Sequence, residues 1–437
     1  MNNLVNSLVW VRRKIFIRAS ADTMAAILPF LVIGVFAEVI SSAFLSTKGF
    51  GADILHINAW VKEIPQVQRV FMQVTGLTTG LLALFAAYKN AEFTTYLKKS
   101  ESHFAGLTAM ISYLLLISLP SHAAPFNFSM EKTGISADNG LFGIQGLLFG
   151  LIVGYIVGLI FARFEKITTR NVSLADGRSY QVLLPIFMSL LLVTFIGLIL
   201  SLLTDLGVFD WIVTSIRSYS SQKNSFLMTL LGSFITGILN WLGLSGPFDY
   251  STATQDSIMA SSNALYALQH HSIWNIPYPY SELSLYHSYA TFGGVGATLA
   301  LIIAIVIVSK NSRDLTTVRW GLFPALFNNN SILMLGVPVF FNVIYLIPFL
   351  LVPIINMLVV SVLIYFHITP PVPFPVPIGT PGPLVGLIGT GGNIAALFTG
   401  LLVFVLDIFL YIPFVKVNDR VNDAYVETKE VALDETH

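Results

Sequence analysis

Residues 293–353 decide the fold class, and they read GGVGATLALIIAIVIVSKNSRDLTTVRWGLFPALFNNNSILMLGVPVFFNVIYLIPFLLVP. An apolar run at 289–309 ends in a basic cluster, and a second apolar run covers 339–366. Each is long enough for a transmembrane helix, which needs about 20 apolar residues. Between them, residues 320–338 mix apolar side chains with two prolines, two glycines and three consecutive asparagines. Such backbone cannot satisfy its own hydrogen bonds, so at membrane depth it survives only when buried in protein or lining a wet cavity. The stretch therefore predicts transmembrane helices around an irregular segment.

The composition of the whole chain excludes a soluble protein. Hydrophobic residues make up 55% of the 437 residues and charged residues only 11%, with a mean hydropathy of +0.76, whereas soluble domains carry about 25% charged residues. The 23 basic and 23 acidic side chains cancel, which excludes a nucleic-acid-binding protein that relies on neutralising phosphates. The lack of cysteine excludes disulfides, thiolate metal sites and cysteine nucleophiles. No P-loop, dinucleotide fingerprint or HExxH motif occurs, so no cofactor and no metal site is predicted.

Basic residues between the apolar runs predict how the chain crosses the membrane. Seven further apolar runs lie at 23–46, 70–88, 104–120, 140–164, 182–206, 225–244 and 394–414. The first three basic clusters, which lie at 12–18, 89–99 and 163–178, are separated by pairs of runs. The positive-inside rule therefore places these clusters and both termini in the cytoplasm. Cytoplasmic termini require an even number of crossings. We therefore predict ten, one of which is not visible as an apolar run in the less regular second half.

A second interrupted segment lies at 367–393 and holds seven prolines and six glycines between two apolar runs. Two interrupted segments in one half of a transporter are typical of re-entrant hairpins that meet at a substrate site. Ordinary external loops are the alternative, but both segments are flanked by spans and are too apolar for solvent. The sequence therefore predicts an all-α polytopic membrane protein with about ten transmembrane helices and two re-entrant hairpins in its C-terminal half.

The chain divides into four predicted regions. These are an interfacial amphipathic helix at 1–22, an N-terminal scaffold and dimerisation half at 23–224, a C-terminal transport half at 225–415 and a cytoplasmic tail at 416–437. Basic side chains in the first region suit the phosphates of membrane lipid. Small residues in the second region suit close helix contact, so we expect this half to supply most of the surface of a homodimer. They are Gly143, Gly146, Gly150 and Gly154.

The stretch at 293–353 resembles the EIIC permease subunit of the bacterial phosphotransferase system, of the lactose, cellobiose and diacetylchitobiose type. Members read GGxGxTL, then a lysine, then a P-xxFNINEPIxFGLPIVxNP-xxxIPF stretch. The matching positions are Gly293, Gly294, Gly296, Ala297, Thr298, Leu299, Pro324, Phe327, Asn328, Asn330, Gly336, Pro338, Asn342, Ile347, Pro348 and Phe349. The segments IRASADTMAAILPFLVIGVF (17–36) and YIPFVKVND (411–419) are also similar to the ends of that family.

The resemblance implies a dimerisation half, a second half that carries sugar in an elevator-like movement, and cytoplasmic termini. It also implies a separate EIIB protein, whose phosphocysteine or phosphohistidine donates a phosphoryl group to a hydroxyl of the sugar. The membrane subunit would supply positioning, with or without a base that takes the hydroxyl proton. Positioning and electrostatics matter most in phosphoryl transfer.

Two departures from the family pattern bear on this chemistry. The family has a glutamate after FNIN, and here FNNN is followed by Ser331. The family also has a histidine at the end of the sixth span. The matching segment here is NWLGLSGPF (240–248), which puts Ser245 at that position. A serine can still exchange hydrogen bonds with a hydroxyl. The sequence therefore supports sugar recognition better than sugar phosphorylation.

The candidate sugar-binding residues are mostly uncharged, as a neutral sugar requires. The consecutive asparagines offer paired donors and acceptors, and the indole of Trp241 can stack on a sugar face. The full set is Asn240, Trp241, Ser245, Asn328, Asn329, Asn330, Ser331, Thr390, Gly391, Gly392 and Asn393. For each asparagine, a helix cap or a turn is the alternative.

Five titratable residues are candidates for further roles. Glu38 lies in the first apolar run and Asp407 in the last, and an intramembrane carboxylate is by default a functional candidate. Structural pairing is an equally good explanation for both. His287, just before the GGVGAT segment, is the best candidate for a surviving catalytic base, with Asp249 and Glu282 as rivals.

We therefore predict a multi-pass EIIC permease of the bacterial cytoplasmic membrane that moves a β-linked disaccharide or oligosaccharide, such as cellobiose, with a separate EIIB protein. The alternative is a non-phosphorylating facilitator, sugar sensor or surface receptor that kept the cavity and lost the chemistry. Whether the chain takes part in an enzymatic reaction depends on which prediction holds. An active permease would replace the missing base by His287, or by substrate and water.

Overall fold

The helices of the protein follow the apolar runs. The computed structural model describes residues 2–100, 103–121, 140–168, 182–207, 225–249 and 258–434. The α-helices are, in chain order, α1 (Asn2–Arg12), α2 (Ile15–Val39), α3 (Phe50–Leu55), α4 (Ile57–Trp60), α5 (Ile64–Thr78), α6 (Leu82–Leu97), α7 (His103–Ser121), α8 (Leu147–Thr168), α9 (Leu183–Asp205), α10 (Ser225–Trp241), α11 (Ile258–His270), α12 (Thr298–Val308), α13 (Ser312–Leu326), α14 (Ser331–Gly336), α15 (Val343–Tyr365), α16 (Gly382–Gly389) and α17 (Ile394–Asp434). Two segments are π-helical, namely Ile40–Phe44 (π1) and Leu283–Ala290 (π2).

Nine helical segments in the described residues are apolar, and each overlaps one of the nine predicted runs. Six are long enough to cross a membrane: Ile15–Phe44, Ile64–Leu97, Ile144–Phe164, Leu183–Asp205, Val343–Tyr365 and Ile394–Glu427. Three are shorter: Phe104–Leu119, Phe226–Trp241 and Thr298–Val308. The protein is therefore a multi-pass, all-helical membrane protein, and the number of ten crossings stays a prediction.

The chain folds into two compact units. The first unit comprises Met1–Gly34 and Gln73–Ile212, and the second comprises Val35–Met72 and Val213–His437. Residues 35–72, which we predicted in the N-terminal half, thus pack with the second unit. The end of α2 and all of π1 are therefore neighbours of the C-terminal helices.

Helices α6, α7 and α8 form the core of the first unit, where small residues allow close contact. A Cβ atom at Gly150 would lie 2.4 Å from the carbonyl oxygen of Ala83, and one at Gly154 would lie 2.4 Å from that of Ala87. These two glycines, which we expected at a dimer surface, are therefore used in a contact between α8 and α6 of the same chain. The homodimer itself stays a prediction.

Both interrupted segments of the second unit fold into short helices joined by irregular backbone. Helices α13 and α14 pack on each other across the turn 327–330. The proline-rich segment has no helix from 370 to 381, then forms α16 and turns into α17. Ile378 in this segment donates its N–H to the Lys48 carbonyl at 2.8 Å and accepts the Phe50 N–H at 2.9 Å. The chain after π1 is thus hydrogen-bonded to the proline-rich segment.

The predicted run at 289–309 is not one helix. Segment π2 ends at Ala290 and α12 begins at Thr298, with an irregular loop at 291–297 between them. Three glycines of this loop and Ala297 have positive φ angles, a conformation that a helix cannot contain. The apolar pattern alone could not reveal this break, because most residues of the loop are buried.

Candidate functional site

The side chain of Asn328 stabilises the turn between α13 and α14 through hydrogen bonds. Its φ angle is +63°, in the left-handed region where asparagine is enriched. Its Oδ1 accepts the N–H of Gly293 at 3.1 Å, and its Nδ2 donates to the carbonyl oxygen of Thr380 at 2.7 Å. One side chain thus ties the turn to the loop 291–297 and to the end of the proline-rich segment.

The other two asparagines of the turn make different contacts. Asn330 donates to the carbonyl oxygen of Val295 at 3.1 Å. Asn329 donates from Nδ2 to Oε2 of Glu38 at 3.1 Å, and its Oδ1 accepts the backbone N–H of Ser331 at 3.2 Å. Asn328 and Asn330 therefore hold backbone, which fits the turn alternative. Asn329 instead brings a carboxylate to the tip of the turn.

Ser331 is the first residue of α14 and is partly buried. Its backbone N–H is capped by the side chain of Asn329, so the serine and Glu38 border the same amide. A serine hydroxyl can exchange hydrogen bonds with a sugar, but it cannot act as a base at neutral pH. The carboxylate of Glu38, which accepts a hydrogen bond from Asn329, therefore contacts the turn 327–330, called the asparagine turn below.

Gly294→Ala is expected to displace the Asn330 amide and destabilise the protein. Gly294 has a φ angle of +109°, and an added Cβ would lie 2.8 Å from Cγ of Asn330. Thermal unfolding of purified protein measures the effect. Gly321→Ala, inside helix α13, is the matched control. Its added Cβ would make only ordinary contacts, the nearest at 3.5 Å from Cγ2 of Ile332. Equal melting temperatures for the two variants would contradict the close approach of Gly294 to Asn330.

A second polar cluster lies in the turn after α10. Oδ2 of Asp249 accepts hydrogen bonds from Nδ2 of Asn240 and from the N–H of Gly246, the latter at 2.7 Å. Burial raises the pKa of the Asp249 carboxyl, although these two hydrogen bonds partly oppose the rise. Ser245 lies in the same turn and is partly buried. Asn240 and Asp249 are thus brought together by a hydrogen bond.

The indole of Trp241 is anchored by its edge. Its Nε1 donates to the carbonyl oxygen of Asn342 at 3.2 Å, and its ring meets that of Phe341 edge to face at 6.2 Å. Trp241 remains partly exposed. The N–H of the ring is therefore engaged within the protein, so stacking is the contact that Trp241 can offer a sugar.

His287 is held by Glu282. Its Nε2 lies 2.8 Å from Oε1 of Glu282, and both side chains are between one quarter and one third exposed. The two residues are five positions apart. In an α-helix they would lie on different faces, but in a π-helix, whose hydrogen bonds join residues i and i+5, they lie on the same face. Segment π2 is therefore the reason that this carboxylate can orient the imidazole. Of the three candidate bases, His287 and Glu282 therefore form one hydrogen-bonded pair.

The loop 291–297 connects the pair His287 and Glu282 to the asparagine turn. It begins directly after π2, where Thr291 donates to the carbonyl oxygen of His287 at 3.4 Å. Its other residues receive the contacts of Asn328 and Asn330 described above. The structure thus joins the predicted base and the predicted asparagines through one short loop.

The predicted residues after α16 are not part of this arrangement. Thr390 donates to the carbonyl oxygen of Gly386 at 2.7 Å, and Oδ1 of Asn393 accepts the N–H of Ala395 at 3.0 Å as the cap of α17. Gly391 and Gly392 are exposed. The hydrogen bonds of this segment stay within the connection from α16 to α17, as the cap alternative proposes.

Asp407 has a structural partner. It is fully buried in α17, and its Oδ2 accepts a hydrogen bond from Nδ2 of Asn356 at 2.9 Å. The same amide donates to the carbonyl oxygen of Tyr289 at 3.0 Å. Of the two intramembrane carboxylates, Asp407 therefore fits structural pairing in the core, whereas Glu38 reaches the asparagine turn.

A family model described as "Phosphotransferase system, EIIC" matches residues 21–353. The chain belongs to the EIIC family. The matched range contains the asparagine turn, the cluster after α10 and π2. This EIIC protein has serine at positions 245 and 331.

Curated relatives of this EIIC protein carry several sugar names. It is 24% identical over 373 residues to the "PTS system oligo-beta-mannoside-specific EIIC component" of Bacillus subtilis, covering 82% of this chain and 81% of the relative. It is 30% identical over 140 residues to the cellobiose-specific EIIC component of Lactococcus lactis, covering 32% and 28%. It is 33% identical over 129 residues to the lactose-specific EIICB component of Staphylococcus aureus, covering 30% and 23%.

One solved structure covers nearly the same length. It is the crystal structure of the transporter ChbC, the IIC component from the N,N'-diacetylchitobiose-specific phosphotransferase system. It matches with a TM-score of 0.42 and 21% identity, over 95% of this chain and 96% of that chain.

Two side-chain contacts of the site were not predicted from the sequence. The pairing of Glu282 with His287 depends on π-helical geometry, which no residue pattern in this segment indicates. The contact of Glu38 with Asn329 joins residues 291 positions apart. The available signal for Glu38 was its position as an acidic residue inside an apolar run, which marks a functional candidate without naming its partner.

Proposed function

We propose that this EIIC protein binds a β-linked disaccharide or oligosaccharide and translocates it into the cell for phosphorylation by a separate EIIB protein. The family match over residues 21–353 carries the proposal. The three curated relatives, whose names specify oligo-β-mannoside, cellobiose and lactose, support a β-linked substrate.

The residues of the site suit a neutral, hydroxyl-rich ligand. The asparagine turn and the cluster after α10 supply amides and hydroxyls, and Trp241 supplies an aromatic face. Such groups exchange hydrogen bonds with hydroxyls and stack on sugar rings without requiring a charge on the ligand. We infer that Asn240, Trp241, Ser245, Asn329 and Ser331 contact the sugar. Asn328 and Asn330 act by holding the turn.

The transport step follows from the two interrupted segments. We infer that α13–α14 and the segment 370–389 are re-entrant hairpins that enclose the sugar, and that the second unit carries it in an elevator-type movement. Positioning and electrostatic stabilisation by the permease are then the main requirements for transfer of the phosphoryl group. His287, oriented by Glu282, contributes a hydrogen bond to the sugar in this scheme.

Binding and phosphorylation must be measured separately to test the proposal. Purified protein is titrated with radiolabelled cellobiose, lactose and β-mannobiose, and is then incubated with phosphorylated EIIB and the sugar that binds most tightly. Saturable binding of one β-linked sugar, followed by EIIB-dependent formation of its phosphate, is expected. Failure to bind any member of the panel would refute the β-linked substrate class.

A facilitator or sensor is the second candidate function, and the serines at 245 and 331 favour it. Under this alternative the protein binds the sugar and moves or senses it without phosphorylation. Binding with no EIIB-dependent product, across EIIB proteins from the cellobiose, lactose and mannoside systems, would support this alternative over the active permease.

We propose, from the positions of the basic clusters, that both termini lie in the cytoplasm. Because the chain has no cysteine, a single cysteine introduced in the tail at 416–437 is the only target for a thiol reagent. We expect a membrane-impermeant maleimide to label it only after the cells are opened. Labelling in intact cells would contradict the topology and remove the basis for docking EIIB on the inner face.

The same single-cysteine approach tests the homodimer. We propose that the N-terminal half supplies most of the self-association surface, although Gly150 and Gly154 are used inside the chain. Disulfide or bismaleimide crosslinking should be efficient for cysteines on the exposed side of α9 and weak for those after residue 289. Crosslinks confined to positions after 289 would contradict the proposed surface.

A further inference from the structure

Glu38 is held against the asparagine turn by aromatic packing. The ring of Phe36 stacks on that of Phe323 at 5.5 Å, and the ring of Phe44 meets that of Phe327 edge to face at 4.9 Å. These contacts join the end of α2 and π1 to helix α13 on both sides of Glu38. The backbone that carries Glu38 is therefore packed against α13 and the turn by neighbouring residues, and its carboxylate meets Asn329 through a hydrogen bond.

The backbone around Glu38 is also fixed. The hydroxyls of Ser41 and Ser42 both donate to the carbonyl oxygen of Glu38, at 2.9 and 2.7 Å. Gln68 donates to the carbonyl oxygen of Ser41 at 3.1 Å. These bonds lie where α2 passes into π1, and π-helical turns inside α-helices occur frequently at functional sites. A carboxylate that is this well positioned suits recognition of a specific atom.

The carboxylate of Glu38 has spare capacity for hydrogen bonds. Its Oε2 accepts one bond from Asn329, and within the described residues it forms no ion pair with a lysine, arginine or histidine. A carboxylate offers about four acceptor sites on two oxygens. An unpaired carboxylate within a membrane helix is unfavourable, so such groups usually face a cavity or a substrate path. Glu38 therefore has the capacity to accept hydroxyl protons from a ligand at the turn.

We propose that Glu38 accepts a hydrogen bond from one hydroxyl of the bound sugar, and that it takes this proton when the hydroxyl oxygen attacks the phosphorus of phosphorylated EIIB. The new bond is sugar O–P, the bond from phosphorus to the EIIB side chain breaks with its electron pair, and the proton leaves on the carboxyl of Glu38. This assignment rests on the proposed function. Under this assignment the base is Glu38 on α2, and it replaces the family glutamate whose position is occupied by Ser331.

Glu38→Gln tests the role while preserving the shape of the side chain and an oxygen for Asn329. We expect the kcat of EIIB-dependent phosphorylation to fall by about 10²–10⁴-fold, as for removal of a general base. The Kd of the sugar should weaken by no more than about tenfold, since an amide oxygen still accepts a hydrogen bond. Glu38→Asp keeps a carboxylate and should recover part of the lost rate.

The matched control is Asp407→Asn, which removes the other intramembrane carboxylate of the same unit. Its partner Asn356 lies in the core, so kcat and Kd should stay near those of the wild-type protein. An unchanged kcat in Glu38→Gln protein that binds sugar would overturn the proposal. A wild-type protein that neither binds nor phosphorylates the panel sugars would instead refute the proposed function.

Sugar analogues test the contact without any phosphorylation. Binding of a series of monodeoxy analogues is measured for the wild type and for Glu38→Ala. If Glu38 contacts one hydroxyl, the analogue lacking that hydroxyl should bind both proteins with nearly equal affinity, while the other analogues still lose affinity in the variant. A uniform loss across the series would indicate a structural role and overturn the proposal.

Discussion

Asn328→Ala is expected to destabilise the protein more than any other alanine substitution in the asparagine turn. The change leaves the N–H of Gly293 and the carbonyl of Thr380 without their partner, and each stranded buried group costs about 1–3 kcal/mol. Alanine also tolerates the φ of +63° at this position less well than asparagine does. Thermal unfolding in detergent should therefore show a marked decrease of the melting temperature.

Asn329→Ala and Asn328→Asp are the controls for this prediction. Asn329 bonds a side chain and the first N–H of α14, so its loss should lower the melting temperature less while weakening sugar binding. Asn328→Asp keeps the acceptor for Gly293 and loses the donor to Thr380, so its stability should lie between those of the wild type and Asn328→Ala. A greater loss of stability from Asn329→Ala would contradict the conclusion that Asn328 is the residue that stabilises the turn.

Ser331→Glu is expected to restore phosphorylation to the Glu38→Gln protein, by up to the 10²–10⁴-fold that a positioned base contributes. Residues 38 and 331 both border the amide of Asn329, so a carboxylate moved from one to the other stays at the same turn. In the wild-type background the same substitution should add little, because two nearby carboxylates in a low-dielectric site share a proton. EIIB-dependent formation of sugar phosphate measures both effects.

Ser331→Gln in the Glu38→Gln background is the matched control, since it has the size of glutamate without the charge. It should not restore the rate. All variants are compared on folded protein that binds sugar, because a new carboxylate can also disturb the turn. A large gain from Ser331→Glu in the wild type would mean that Glu38 is not acting as a base and that the native site lacks one.

The helices of the first unit were predictable in position because lipid imposes a simple rule on sequence. Each span needs about 20 apolar residues, and the runs at 104–120 and 182–206 coincide with α7 and α9. The role of the small residues was not predictable in the same way. A stripe of glycines indicates a close helix contact, but it does not say whether the partner is another chain or, as for Gly150 and Ala83, a helix of the same chain.

The sequence by itself determined the membrane class, the apolar helices, the two interrupted segments and the family motif, since each depends on residues that are close along the chain. Only the tertiary structure decided which polar groups meet. It paired Glu282 with His287 through a π-helix, used Asn328 and Asn330 to hold backbone, and brought Glu38 to Asn329 across 291 positions. Hydropathy and motif spacing carry no information about such contacts. The partners of Glu38, Asn328 and Asn330 are chosen by the packing of segments that are distant in sequence, and the pair Glu282–His287 depends on a π-helical backbone.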